Sequence, residues 1–393
     1  MNLIFFKGRT ETADFYTHQL LMAAEKKQVS TYMVDYNNPA TFRSDDFYNL
    51  LRSGDCTAIL FEDIGLAFTD ADGNNIWKEH HIPVYSFLLS YPTDSPAYLE
   101  EPPADLTLII PDQSWATSIS KHFPHIKGTV FMPGGGTFEP VSAGDTKPLP
   151  MNQRDIDILL VEDCEPERGN NYPQFDFLDD KGATFFIDCV SSLISSPDKY
   201  AEDVVREYFE TDKEDCTAEQ LETLILPHAS KIAQTAHRFL LQEAVRSLDQ
   251  AGIAIEVYGK NWESPDYVYS DAIHLHPPVS PSEAGKLMGR AKITLHFMPG
   301  YKQGADIRFF DILLNGSVCI STTNEYTERR FKDSTHMVNF DKNNPNQTIA
   351  DIRYLLSHED AAVRISSKGT AVAARDTWEQ RFNRLMDLIQ KKD

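Results

Sequence analysis

Short apolar runs recur through the first third of the chain, separated by stretches in which apolar residues fall every three or four positions. The segments "LIFF" (3–6), "TYMVDY" (31–36), "AILFED" (58–63), "VYSFLL" (84–89), "LTLIIP" (106–111) and "TVFMP" (129–133) read as strands. Residues 12–27, 42–52 and 113–122 read as helices between them. Runs that are apolar throughout, rather than alternating with polar residues, predict strands buried on both faces, hence a parallel sheet covered by helices. The segment "PGGGTFEPVSAGDTKPLPMNQ" (133–153) has no periodicity and is rich in glycine and proline, which predicts a connection and a domain boundary near residue 150.

The alternation then restarts. "DILLVED" (157–163) reads as a buried strand, followed by a largely helical region to about residue 250. Further strands are expected at "IAIEVYG" (253–259), "AIHLHPP" (272–278), "AKITLHFM" (291–298), "SVCIS" (317–321) and "HMVNF" (336–340), with a helical tail over 347–390. Ser280-Pro281-Ser282-Glu283 is a capping box with proline in the first turn of a helix. The expected fold class is therefore α/β: two doubly wound, Rossmann-like domains facing across a cleft, with ligands beyond the carboxyl ends of the strands.

Composition narrows the partners. The chain has 393 residues, 41% hydrophobic and 24% charged, the proportions of an ordinary globular protein with room for two cores. A net charge of −22 argues against nucleic acid or an anionic membrane, both of which need a basic surface. No apolar run approaches the ~20 residues of a membrane span, and "MNLIFFKGRT" carries no signal-peptide pattern. Five scattered cysteines without CxxC suit a reducing cytoplasm.

Candidate chemistry concentrates in "FMPGYKQGADIR" (297–308), which follows a strand and opens a helix. Pro299, Gly300 and Gly304 let backbone approach a ligand, helix-start N–H groups favour a phosphate, and Lys302 and Arg308 add charge-assisted bonds. Asp311, three residues past Arg308, shares a face of an otherwise apolar helix that stops at Asn315-Gly316. It either accepts from sugar hydroxyls or forms an intrahelical pair with Arg308. Gly259-Lys260 again follows a strand directly. His274 and His276 alternate on a strand and share a face, without a third metal ligand of suitable spacing. Asp70 and Asp72 in "TDADGN" (69–74) offer an Asp-x-Asp that could hold a metal ion, or an ordinary turn, and no sequence context supports more. Asp94 and Asp112 follow the ends of candidate strands, where a general base would sit. Walker, GxGxxG, GxSxG and HExxH patterns are absent.

"YGKNWE" (258–263), "HPPVSPSEAGKLMGRAKITLHFMPGYKQGADIRFFDILLNGSVCIST" (276–322) and "YLLSHEDAAVRISSKGTAVAARDTWEQRF" (354–382) together resemble the bacterial spore-protein CgeB-like glycosyltransferases. The resemblance spans roughly residues 253–385; the first half shares only the strand–helix rhythm and "PDQSWATSISKHFPHIKGTVFMPGG" (111–135). It implies a GT-B enzyme with an acceptor-side domain over 1–150, a nucleotide-sugar domain over 151–375 and a final helix, 376–393, around Trp378 and Arg381, crossing back to the first domain. The Arg308–Asp311 helix would face the cleft with its start near the donor diphosphate. Asp311 would hold the ribose, with Asp where many relatives have Glu, and residues 274–280, His276 among them, would line the base through backbone groups. The implied reaction moves a sugar from a nucleoside diphosphate, uridine first and guanosine second, to a hydroxyl of a glycan or of a protein such as flagellin or a spore-surface protein. Lys302, Arg308 and helix N–H groups rather than metal would stabilise the leaving diphosphate, and Asp94 would serve as base if the reaction inverts. No separate cofactor is expected. A silent nucleotide-sugar binding module and a sugar-nucleotide epimerase are the alternatives.

Overall fold

The computed structural model describes residues 1–391 apart from 93, 95–96, 104, 127, 165–179, 197, 213–216, 264–266, 299 and 342–343. The first sheet contains β1 (Asn2–Lys7), β2 (Ser30–Asp35), β3 (Cys56–Phe61), β4 (Val84–Phe87), β5 (Leu106–Ile110) and β6 (Gly128–Phe131). All pair in parallel, in the order β2-β1-β3-β4-β5-β6. Helices α1 (Glu11–Lys26), α2 (Ser44–Ser53), α3 (Ile76–Glu79), α4 (Ala97–Glu100) and α5 (Trp115–His122) connect successive strands. The apolar runs are buried as expected: every residue of β3, β4 and β5 is covered.

The second sheet contains β7 (Ile156–Val161), then three helices, α6 (Asp180–Ser195), α7 (Ala201–Asp212) and α8 (Ala218–Gln250), before β8 (Ile255–Tyr258). It continues through β9 (Ile273–His276), α9 (Pro281–Arg290), β10 (Ala291–His296), α10 (Ile307–Leu314), β11 (Val318–Ser321), α11 (Glu325–Arg330) and β12 (Val338–Asn339). The order is β12-β11-β10-β7-β8-β9, again parallel. The chain therefore leaves β7 on one side, through β8 and β9, and returns on the other side with β10. That reversal opens a crevice beyond the carboxyl ends of β7 and β10, the place where doubly wound sheets take ligands.

α10 shows how sequence sets local structure here. Asp306 caps it, its carboxylate accepting the N–H of Phe309 at 2.9 Å. Phe309, Phe310, Ile312 and Leu313 are completely buried, each worth about 1.5–3 kcal/mol of transfer free energy. So short a helix is held by that packing rather than by its own propensity. Ser280 caps α9, its Oγ accepting the N–H of Glu283 at 3.1 Å, which is one half of the expected capping box.

α12 (Pro345–Ser357) and α13 (Glu359–Ala373) complete the second layer, and α14 (Trp378–Gln390) returns to the first sheet. Trp378, Phe382, Leu385 and Ile389 of α14 belong to the first sheet's hydrophobic core. The two chain crossings between the sheets run side by side: Gly136 forms a parallel bridge with Thr377, and its N–H donates to the Asp376 carbonyl at 2.7 Å. Among the described residues no helix is long and apolar enough to cross a membrane.

Candidate functional site

A cavity of ≈ 1030 Å³ lies between the two sheets, beyond their carboxyl ends. Tyr91 and Asp94 reach it from the first domain, Glu162, Lys302 and Asp306 from the second, and His237 from α8. Its size suits a nucleotide-sized ligand.

Glu162, immediately after β7, organises the floor. Its Oε2 accepts from Arg308 Nη1 at 2.5 Å, and the same nitrogen donates to the Val161 carbonyl at 2.6 Å. His237 Nε2 stands 3.8 Å from Glu162 Oε1. Asp306 Oδ1 meets His296 Nε2 at 2.9 Å. Desolvation pushes the Glu162 carboxyl up, but the Arg308 charge, aided by His237 and His296, prevails and leaves it at about 2. Desolvation would lower the Arg308 pKa, and Glu162 and Asp306 together raise it instead. Asp306 is likewise pushed up by desolvation and brought below the usual range by His296. Glu162 and Asp306 face the cavity; Arg308 and Asp311 are not among its lining residues, and Arg308 meets its edge through Glu162. Arg308 still keeps 39% of its side chain accessible, so its guanidinium has unused donors for a ligand.

The structure corrects several expectations. Arg308 and Asp311 share a helix face without pairing: Arg308 turns to Glu162, and Asp311 Oδ1 accepts the N–H of Thr137 in the interdomain connection at 2.6 Å. Two amides of the loop before that helix, several residues short of its start, are taken from the other domain. Asp112 Oδ2 accepts the N–H groups of Lys302 at 2.6 Å and Gln303 at 2.8 Å, while its Oδ1 accepts from Ser114 N at 2.8 Å and from the Ser114 hydroxyl. Asp112 is wholly buried and is thereby a strut between domains rather than a base facing the cavity. Gly304 serves the same contact, since a Cβ there would meet the Pro111 carbonyl at 2.1 Å. Gly259 abuts the Glu162 carbonyl, which a Cβ would meet at 2.0 Å, so it lets β8 close against the floor.

Other candidates lie elsewhere. The Lys260 N–H donates to Asp163 at 2.8 Å, outside the cavity lining. His276 and His274 both bond to Glu256, at 2.5 and 2.6 Å, and His276 stacks on Tyr258 at 4.3 Å. Asp70 closes its own turn by accepting from Asp72 and Asn74 N–H groups at 2.9 and 2.8 Å. No metal-holding group of three His, Cys, Asp or Glu occurs among the described residues. Gly300 and Lys302 do line the cavity, with Lys302 Nζ 5.5 Å from the centre of the Tyr200 ring. Pro299 lies outside the described residues. Asp94 stands exposed at the rim; desolvation by the protein behind it raises its pKa, against a hydrogen bond from Ser230 of α8.

Burial pushes the Asp311 carboxyl up to about 8, against the Thr137 N–H bond, and Asp306 adds to the rise. A folded pKa above the ordinary 3.8 means that the native state holds a proton the unfolded chain has lost, so stability falls as pH rises from about 4 to about 8. Asp311→Asn keeps an oxygen for Thr137 and removes the titration. Its melting temperature should match wild type at acid pH and exceed it increasingly towards pH 8; a difference flat with pH would show an ordinary ionised carboxylate.

Residues not singled out from the sequence complete the enclosure. The carboxylate of Glu202, on α7, enters the first domain, accepting from Ser118 Oγ and meeting His122 Nε2, each at 3.0 Å. Tyr200 stacks on Tyr91 with ring centres 5.7 Å apart and hydrogen-bonds Ser114. The helical segment inserted between β7 and β8 thus spans the cleft and docks on α5. Only the position of Glu162 at a strand end could have flagged it, and strand order, which marks that end as the crevice, is invisible in sequence.

Comparison with known proteins extends the picture. Residues 233–387 match a family described as "Glycosyl transferase-like". No curated protein matches the chain in sequence. Among solved structures, an alpha-glucosyltransferase in complex with UDP and a 13-mer DNA superposes with a TM-score of 0.59 at 9% identity, covering 99% of both chains. T4 phage BGT in complex with its UDP-glucose substrate gives 0.53 at 10% identity, covering 100% of this chain and 99% of that one. The two facing parallel sheets, the crossing-back helix and these superpositions establish the GT-B fold for this chain.

Proposed function

We propose that this protein is a glycosyltransferase that moves a sugar from a nucleoside diphosphate, UDP in the first instance, to a hydroxyl of a protein or glycan acceptor, in the manner of the CgeB-like group. The observation that carries the reading is the accessible Arg308 held by Glu162 at the strand reversal of a GT-B fold. A diphosphate entering the crevice would meet the guanidinium donors beside Glu162, with Lys302 on the loop that leads into α10. Charge developing on the leaving diphosphate would be stabilised by these two cations, which requires no bound metal. The ribose would fall to Asp311, whose Oδ1 is already engaged with Thr137, so the second carboxylate oxygen would make the contact. The base would lie towards the end of β9, met by backbone, because the His276 imidazole is committed to Glu256 and Tyr258.

The first domain, up to about residue 150, would present the acceptor, with Asp94 at the rim on that side. A net charge of −22 makes a nucleic-acid acceptor unfavourable. Calorimetric titration tests the reading. UDP should bind at micromolar to millimolar strength, and the affinity should be unchanged in EDTA. Absence of binding by any nucleoside diphosphate removes the proposal, and loss in EDTA with recovery in manganese removes its metal-independent form.

A further inference from the structure

An acceptor has to fit the space that the cleft leaves beyond the donor. Glu162, Lys302 and Asp306 form the donor side of the cavity, and Asp94 stands exposed at its rim. Between them the walls come from Tyr91 and Trp115 of the first domain, Tyr200 just before α7, and Ser230 and Gln234 of α8. The inserted helices are anchored in both sheets. Leu241, Ala244, Val245 and Leu248 of α8 belong to the core of the second sheet. Glu202 of α7 is buried on α5, held by Ser118 and His122 at 3.0 Å each, and Ser230 bonds Asp94 across the gap. Pulling a buried carboxylate away from its partners is costly. This side of the cleft is therefore walled.

Size and chemistry narrow what can enter. A cavity of ≈ 1030 Å³ is on the scale of a site for small ligands. A folded protein docks through about 800 Å² of its own surface, and the wall leaves no open face of that kind. Among the described residues seven carboxylates and two lysines line the cavity. Lys302 lies on the donor side and Lys199 is paired with Glu207, so an anionic acceptor would meet like charge. Carboxylates only accept hydrogen bonds, whereas the Gln234 amide donates and accepts. Asp94, Asp198 and Gln234 thus suit a molecule rich in hydroxyls, and an apolar alcohol would cover them unpaired. Beside them lies aromatic surface, with the Tyr91 ring centre 5.5 Å from that of Trp115 and 5.7 Å from that of Tyr200. A sugar ring, with hydroxyls at its edge and C–H groups on its faces, matches both.

We propose that the space between the Tyr91–Tyr200 pair and the Ser230–Gln234 face of α8 is a subsite for an uncharged saccharide, and that folded proteins are not acceptors. The proposal rests on the glycosyltransferase reading above and names the acceptor class for it. In net terms the saccharide oxygen becomes bonded to the anomeric carbon of the donor. The bond from that carbon to the phosphate oxygen breaks with its electron pair on the diphosphate, and the hydroxyl proton is released to water. The helical insertion is then what selects the acceptor, because it supplies one wall of the subsite and closes the cleft to larger surfaces.

The intact protein is incubated with a panel of UDP-hexoses and one acceptor at a time. The uncharged sugars are glucose, N-acetylglucosamine and lactose, the carboxylated ones glucuronic and N-acetylneuraminic acid, and the folded protein is flagellin. UDP release above the acceptor-free rate and product mass are followed, with UDP affinity measured by calorimetry. At least one uncharged sugar should be glycosylated, the carboxylated sugars at kcat/KM at least ~10-fold lower, and flagellin should gain no mass. Gln234→Trp, at an exposed helix position, should fill the subsite, raising the KM of the sugar at least ~10-fold while UDP affinity stays within about twofold of wild type. Mass added to flagellin, carboxylated sugars used as well as uncharged ones, or an unchanged sugar KM in Gln234→Trp would overturn the assignment. So would UDP binding without transfer from any donor of the panel to any uncharged sugar. Absence of UDP binding in the wild-type protein would instead refute the glycosyltransferase reading itself.

Discussion

Arg308→Ala should weaken UDP binding by ~10- to 150-fold, the loss of a charge-assisted bond worth about 1.5–3 kcal/mol, while leaving free uridine nearly unaffected. The asymmetry is the informative part. A guanidinium aimed at phosphate contributes nothing to a ligand that has none, whereas a general disturbance of the crevice would weaken both. Arg308→Lys retains the charge but not the planar fork that can hold Glu162 and an oxyanion together, so it should recover only part of the loss. Removing Arg308 also leaves the Glu162 carboxylate without its main partner, so its pKa should climb from about 2, and melting must be followed separately. Unchanged UDP affinity in a folded Arg308→Ala protein would reduce the guanidinium to a structural partner of Glu162.

Asp112→Ala should be the most destabilising single change outside the apolar cores, by about 3 kcal/mol or more. The carboxylate is wholly buried and accepts the backbone N–H groups of Lys302, Gln303 and Ser114 and the Ser114 hydroxyl. Truncation strands all four donors where water does not readily replace the acceptor. Two of them belong to the opposite domain, so the loss falls on domain docking as well as on local structure. Denaturant unfolding should show a lowered midpoint, and Asp112→Asn, which keeps an acceptor oxygen, should lose less. An alanine variant as stable as wild type would show that solvent or rearrangement satisfies these donors.

Each of the twelve strands among the described residues overlaps a run read from the sequence, most of them legible because the run is apolar along its length. Their ends were less so: "HMVNF" yields only the two residues Val338–Asn339 in β12, because pairing with β11 is confined to Ile320 and Ser321. The Arg308–Asp311 spacing correctly placed both on one helical face, but helix geometry cannot choose partners. Arg308 pairs with a residue 146 positions away and Asp311 with one 174 away, choices made by the packing of whole domains. Asp112 followed a strand, as a base would, and its burial under the opposite domain has no signature in its neighbours. The glycine loop invited a ligand for sound reasons, but the sequence could not show that the carboxylate of Asp112 takes its Lys302 and Gln303 N–H groups from the other domain. His237 lines the cavity from α8 together with Ala233, Gln234, Leu240 and Glu243, a mixed helix face in which nothing local distinguished it.

The return of α14 to the first sheet also bears on the order in which the protein can mature. Trp378, Phe382, Leu385 and Ile389 belong to the core of the first sheet, where the Trp378 ring lies against Tyr16, Phe61 and Phe87. A nascent chain emerges from its amino end, and domains generally fold as units as they appear. Here the domain made first lacks four of its buried side chains until α14 has been synthesised. The second sheet must therefore be built while the first stands incomplete, with Phe61 and Phe87 still uncovered, and the final helix seals both the early core and the paired crossings at Gly136 and Thr377 in a single closing step.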